Sequence, residues 1–228
     1  LYCGAIEERQ ARAASDGMRD LKAHRSDSAE RSALFIVFEG IDGSGKSTQA
    51  RMLHHWMKQS GKPALLTAEP SDGPIGRRIR SLKERAGPEE EAELFALDRR
   101  DHVERTIVPA LRQGTTVICD RYVHSSIAYQ GARGIDAQAI RARNNSFAIG
   151  PDTVFLLEVP VDTGLSRIAS GRGPEFSLFE IRGELETVAA IYSDLEDPVI
   201  VRIDGTGPRE QVHAQVVRYV EKLGRARE

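Results

Sequence analysis

The stretch Gly40-Ile41-Asp42-Gly43-Ser44-Gly45-Lys46-Ser47 constrains this chain more than any other. It satisfies G-x-x-x-x-G-K-[ST], a pattern that works between a strand and a helix. Both neighbours are present. Ala33-Leu34-Phe35-Ile36-Val37-Phe38 precedes it and reads as a buried strand, being apolar with aromatic and β-branched residues. Thr48 to Met57 follows and can carry an apolar helical face. Glycines at 40, 43 and 45 let backbone N–H groups converge on a phosphate, and the helix N-terminus adds partial positive charge. Lys46 is placed to reach β- and γ-phosphates, and the Ser47 hydroxyl suits a Mg²⁺ ligand. A chance glycine turn would not need the right element on each side. Binding of a nucleoside triphosphate is the expectation.

Apolar runs at 34–38, 64–67, 116–119, 153–159 and 199–203 alternate with helical patterns. The helical patterns cover 47–60, 74–85, 89–112, 123–130, 136–148, 161–171, 178–195 and 208–224. Strands separated by helices imply right-handed crossovers and a parallel sheet. The expected fold is therefore α/β, a three-layer P-loop NTPase domain with a five-stranded parallel sheet flanked by helices. A chain of 228 residues suits one such domain with a full core.

The first 32 residues differ, being rich in Arg, Glu, Ala, Ser and Asp. They lack the apolar centre of a signal peptide and read as a polar, frayed extension, with Met18 an alternative start. The domain then covers 33–228. Gly171, Gly173 and Pro174 break helical periodicity between 170 and 180, as in a mobile functional loop. A net charge of -2 argues against a nucleic-acid partner. No apolar stretch approaches the ~20 residues of a membrane span. The two cysteines, Cys3 in the polar extension and Cys119 in an apolar run, fit a reducing, cytoplasmic setting.

Two further strands deliver polar residues to one edge, where open α/β sheets place ligands. Ala64-Leu65-Leu66-Thr67 leads into Ala68-Glu69-Pro70, and Thr116-Val117-Ile118-Cys119 into Asp120-Arg121-Tyr122. A carboxylate at 120 can hold Mg²⁺ directly or through water. Arg121 can clamp phosphate oxygens. An Asp-Arg pair is ordinarily a surface ion pair, but its place beside a phosphate loop favours function.

Four blocks in order resemble the thymidylate kinase family. They are Phe38-Glu39-Gly40 through Thr48, Leu94-Phe95-Ala96-Leu97-Asp98-Arg99, Asp120-Arg121-Tyr122 through Gly131, and Ile203-Asp204-Gly205-Thr206. The resemblance covers about residues 34–224 and implies transfer of phosphate from MgATP to dTMP, by a homodimer packed through helices. It implies that Gly40, Gly43, Ser44, Gly45, Lys46, Ser47, Thr48, Arg167, Gly205 and Thr206 serve the donor. Asp42 would meet the acceptor's 3′-hydroxyl, Phe95 would stack on thymine, and Arg99 would contact base or phosphate. Glu69, Ser125 and Gln130 would position the acceptor, and Tyr129 would crowd a ribose 2′-hydroxyl. Lys46, Arg121, Arg172 and Asp42 would form the catalytic set, with Ser47 and Asp120 on the metal.

There are departures. Bacterial relatives carry Arg-Glu-Pro where this chain has Ala68-Glu69-Pro70, so Arg77, Arg78 or Arg99 is expected to replace the lost charge. No basic residue stands at 43 or 44, so a bacterial-type lid, with Arg172 and Arg167, would have to supply one. A kinase for another nucleotide or small acceptor, and a nucleotide-binding module without transfer, are the alternatives.

Overall fold

The computed structural model describes residues 33–171 and 178–225. The polar extension expected over 1–32 and the centre of the segment expected to be mobile lie outside the described residues. Five strands form one parallel sheet: β1 Phe35–Glu39, β2 Ala64–Ala68, β3 Thr116–Asp120, β4 Thr153–Glu158 and β5 Ile200–Asp204. Their order is β2-β3-β1-β4-β5, so the glycine-loop strand lies at the centre. Phe38 pairs with Asp120 on one side and Phe155 on the other, which brings the ends of β1, β3 and β4 level.

Alternation along β1 divides the core in two. Leu34, Ile36 and Phe38 face a cluster with Leu53, Met57, Phe155, Val212 and Val216. Phe155 comes from β4 and the others from α1 (Lys46–Gln59) and α9 (Arg209–Arg225), where Val212, Val216 and Val220 repeat every four residues on one buried face. Phe35 and Val37 point the other way, onto Val103, Ile107 and Leu111. All five residues of β1 are buried, as expected of a central parallel strand covered on both faces. A third apolar cluster joins α5 (Val123–Gly131) and α7 (Val161–Gly171) to α8 (Leu178–Asp194).

Three helical patterns end earlier or break. α2 covers Pro74–Ser81 and stops there because Leu82 turns extended, at φ -63 and ψ 125. The long pattern over 89–112 resolves into α3 (Pro88–His102), a π-helical turn at Val103–Ile107 and α4 (Val108–Arg112). Pro109 is the physical reason: a proline has no N–H to bond four residues back, and its ring collides with that carbonyl. A wider turn accommodates it, with Val108 N bonded to Val103 O. α6 covers Ala137–Asn144, capped by Asp136 accepting from Ala139 N at 2.9 Å.

The carboxyl ends of the parallel strands share one edge, and the loops after β1, β2 and β3 lie together there. No helix among the described residues is long and apolar enough to cross a membrane.

Candidate active site

The chain leaves β1 through Gly40 at φ +135 and enters α1 through Gly45 at φ +103. A Cβ at 40 would sit 2.5 Å from Leu157 O, so both space and dihedral demand glycine there. No side chain caps α1, and its first turn faces the loop's concavity with the helix dipole unopposed. Lys46 is buried, and its Nζ donates to Ile41 O at 2.8 Å. Burial pulls its ammonium down to about 8, helped by the Arg121 charge and opposed by Asp42, Asp120 and Glu39. A polyphosphate in the loop would add counter-charge to that of these carboxylates.

Ser47 Oγ donates to Asp120 Oδ2, linking the loop after β1 to the end of β3. The other carboxylate oxygen, Asp120 Oδ1, is buried without a hydrogen-bond partner among the described residues. A hydroxyl and a carboxylate with an idle lone pair fit a hard cation such as Mg²⁺. No cluster of three or more His, Cys, Asp or Glu able to hold a metal exists among the described residues.

Arg121 lies between the two halves of the site. Its backbone is left-handed, at φ +73. Its guanidinium meets Asp42 Oδ1 at 2.5 Å and Ser125 Oγ at 3.1 Å. It also sits 4.7 Å from the centroid of the Tyr129 ring and 3.3 Å from its hydroxyl. Sequence reasoning missed what holds this arginine in place. Glu39, fully buried, accepts from Tyr122 N at 2.8 Å, Ser125 N at 3.1 Å, Ser125 Oγ at 2.5 Å and Tyr192 Oη at 2.8 Å. The signal was present as a carboxylate ending an otherwise apolar strand.

A cavity of about 350 Å³ opens beside Arg121. Glu69, Phe95, Arg99, Arg121, Ser125, Tyr129 and Gln130 all line it, so the residues expected at an acceptor site converge, while Asp42 reaches it through Arg121. Its size lies in the range of small-molecule pockets. Arg99 differs from a free clamp. It is 1% exposed and bonded to Glu69 Oε2 at 2.8 Å, Asn144 Oδ1 at 2.8 Å, Tyr122 O at 3.1 Å and Ser126 Oγ at 3.0 Å. Glu69 also meets His102 Nδ1 at 3.1 Å. Arg77 donates to Asp72 O, and neither it nor Arg78 lines the cavity. Lys83 and Arg85 do line it. Sequence reasoning missed them because it took Lys83-Glu84-Arg85 as the end of a helix.

On the opposite side Arg167 grips the glycine loop's backbone. Nη1 donates to Gly43 O at 3.3 Å and Ser44 O at 3.4 Å, and Nη2 donates to Gly205 O at 3.0 Å. Thr206 folds back on Asp204, its N and Oγ1 donating to Oδ1 at 2.9 and 2.6 Å. Thr48 lies in the first turn of α1, half-buried. Arg172 lies outside the described residues.

With this geometry in view, comparison with known proteins is decisive for the family. The family model described as thymidylate kinase matches residues 38–216. The thymidylate kinase of Desulfotalea psychrophila is 42% identical over 191 residues, spanning 82% of this chain and 94% of the relative. That of Akkermansia muciniphila is 42% identical, spanning 82% and 91%. A probable thymidylate kinase of Thermococcus kodakarensis is 42% identical, spanning 83% and 98%.

Proposed function

The chain belongs to the thymidylate kinase family, and we propose that it transfers the γ-phosphoryl group of ATP to dTMP, giving dTDP and ADP. One observation carries the reading. Arg121 is bonded to the phosphate loop through Asp42 and at the same time lines the adjoining cavity, so one cation faces donor and acceptor together. An oxygen of the acceptor phosphate forms the new bond to the γ-phosphorus as the bond to the β–γ bridging oxygen breaks, and ADP leaves with that electron pair. The attacking oxygen is already anionic, so the site needs no strong base, and catalysis is alignment plus charge stabilisation. Lys46 and Arg121 offset charge on the transferring group. Ser47 and Asp120 hold Mg²⁺, which when bound neutralises the donor's phosphate oxygens.

On the acceptor side Phe95 stacks on the base, and Ser125 and Gln130 orient it. Tyr129 crowds the 2′ position of the sugar, and Asp42 meets the 3′-hydroxyl. Glu69 holds Arg99 at the base. Gly40, Gly43, Ser44, Gly45 and Thr48 surround the donor phosphates, and Arg167 ties that loop to Gly205, which with Thr206 serves the donor nucleotide. The lid is of bacterial type, with Arg172 entering when both nucleotides are bound. Residues 33–228 form the catalytic domain, 1–32 an extension, and the enzyme is a cytoplasmic homodimer. The test is ADP formation with dTMP, dUMP, UMP, CMP or no acceptor. Robust turnover with dTMP and little without acceptor is expected. Equal ADP release in every arm would overturn the reading.

A further inference from the structure

The cavity contains one polar residue whose orientation is set from behind. Gln130, on α5, is 2% exposed. Its Nε2 donates to Glu91 Oε1 at 3.2 Å, and its Oε1 is buried with no hydrogen-bond partner among the described residues. Glu91 comes from α3 and also lines the cavity. Each of its oxygens takes two donors. Oε1 takes Gln130 Nε2 and Arg85 Nη2 at 3.1 Å, and Oε2 takes Arg85 Nε at 2.7 Å and Arg133 Nη1.

A carboxylate bonded in this way has only acceptors. Burial acts to raise the Glu91 pKa. Hydrogen bonds from Arg85 and Gln130, and the charges of Arg85 and Arg133, outweigh it, so the group is held below its usual range and stays ionised. Gln130 must therefore turn its NH₂ towards Glu91 and keep its carbonyl oxygen on the other side. A buried carbonyl without a donor is costly, and a ligand N–H removes the cost.

Resting on the reading of the cavity as the acceptor site, we infer that Glu91 is a positioning residue for base selection: by locking the Gln130 amide it presents an acceptor that favours a pyrimidine bearing N3–H over one bearing a bare N3. A 2,4-dioxopyrimidine such as thymine or uracil donates at N3. A 4-aminopyrimidine such as cytosine has a lone pair there and leaves Gln130 Oε1 facing another acceptor. A site built to bond a particular N–H rejects the analogue that lacks it more strongly than an apolar pocket does. The discrimination thus lies in a carboxylate that need not touch the base.

The experiment compares kcat/KM for dTMP and dCMP, with calorimetric binding of both nucleotides, in wild type, Glu91→Gln, Gln130→Met and the double variant. A glutamine at 91 can donate as well as accept, so Gln130 is free to present either end. The preference for dTMP over dCMP should fall about tenfold or more in Glu91→Gln. It should fall similarly in Gln130→Met, and Glu91→Gln should add nothing further in that background. A purely structural role would lower activity on both nucleotides and leave their ratio unchanged. An unchanged ratio in Glu91→Gln, or an undiminished effect of it in the Gln130→Met background, overturns the inference alone. If Glu91→Gln does not fold, an unchanged ratio in Gln130→Met overturns it. A wild type that neither binds nor phosphorylates dTMP overturns the functional reading as well.

Discussion

Arg121 Nη2 and Asp42 Oδ1 lie 2.5 Å apart, joining the loop that ends β3 to the glycine loop that ends β1. The pair is half open, with side-chain exposures of 20% and 53%, so its worth lies in alignment more than in stability. A cation tied to the glycine loop cannot drift from the cavity it lines without moving that loop.

Lys46 gives the clearest single test of the donor side. Lys46→Ala should lower kcat by roughly 10²- to 10³-fold, the loss expected for one preorganised donor at a developing charge. The variant should melt no more than a few degrees away from wild type, since the side chain bonds one carbonyl, Ile41 O. The ammonium is pulled down to about 8 from its ordinary 10.5, burial being the main cause. The unfolded chain therefore binds the extra proton between those values, and this group's penalty on folding is full below about 8 and relieved as pH rises towards 10.5. ATP restores the charge. Calorimetry at pH ~8.5, in buffers of different ionisation enthalpy, should show proton uptake on ATP binding that disappears in Lys46→Ala. Equal uptake in both proteins would remove Lys46 from the donor site.

Glu69→Ala probes the buried pair in the cavity wall. Arg99 and Glu69 have side chains 1% and 2% exposed, so removing the carboxylate strands a guanidinium away from water. Breaking such a pair from one side costs about 3–5 kcal/mol. For a domain of this size that lowers the melting temperature by on the order of 10 °C. Thermal denaturation measures it, and a shift below ~2 °C would mean that water reaches Arg99 in solution.

Tyr129→Ala should change both rate and selectivity. The ring packs against the Arg121 guanidinium at 4.7 Å, so turnover should fall with every acceptor. Space opens beside the sugar at the same time, so activity with UMP should rise relative to dUMP. Those two substrates differ only at the 2′-hydroxyl. An unchanged ratio would leave Tyr129 as a support for Arg121 alone.

No basic residue occupies 43 or 44, and Arg167 has its guanidinium on the carbonyls of Gly43, Ser44 and Gly205. Arg172, flanked by Gly171 and Gly173 in the sequence, is then the candidate for a further cation in the proposed reaction. Arg172→Ala should reduce kcat by roughly 10³-fold with little change in KM for ATP, as for an arginine acting in the transition state. A kcat within a few-fold of wild type would reassign that charge.

Much of this arrangement was open to reading from the sequence. The glycine loop announces its own context, because its spacing demands a strand before it and a helix after it, and Phe35–Glu39 and Lys46–Gln59 are those elements. Asp120 and Arg121 were locatable because a short apolar run delivers them to the same edge. Three things escaped. The π-helical turn at Val103–Ile107 interrupts an apolar pattern that reads as continuous helix, since periodicity does not register one extra residue per turn. Glu39 and Glu91 act across 83 and 39 residues of chain, to Tyr122 and Gln130, and only the folded topology makes those pairs neighbours. The partners that hold Arg99 in the cavity wall, Glu69, Asn144 and Ser126, come from distant segments that local spacing does not reveal.

The left-handed backbone at Arg121 sets durability against chemistry at a single position. Among the described residues it is the one non-glycine at positive φ, a conformation costing a side-chain-bearing residue roughly 1–2 kcal/mol. Glycine would relax the chain there and delete the charge that joins the glycine loop to the cavity. Screening variants for heat resistance alone would therefore drift towards an inert protein at residue 121, and screening for turnover would pull it back.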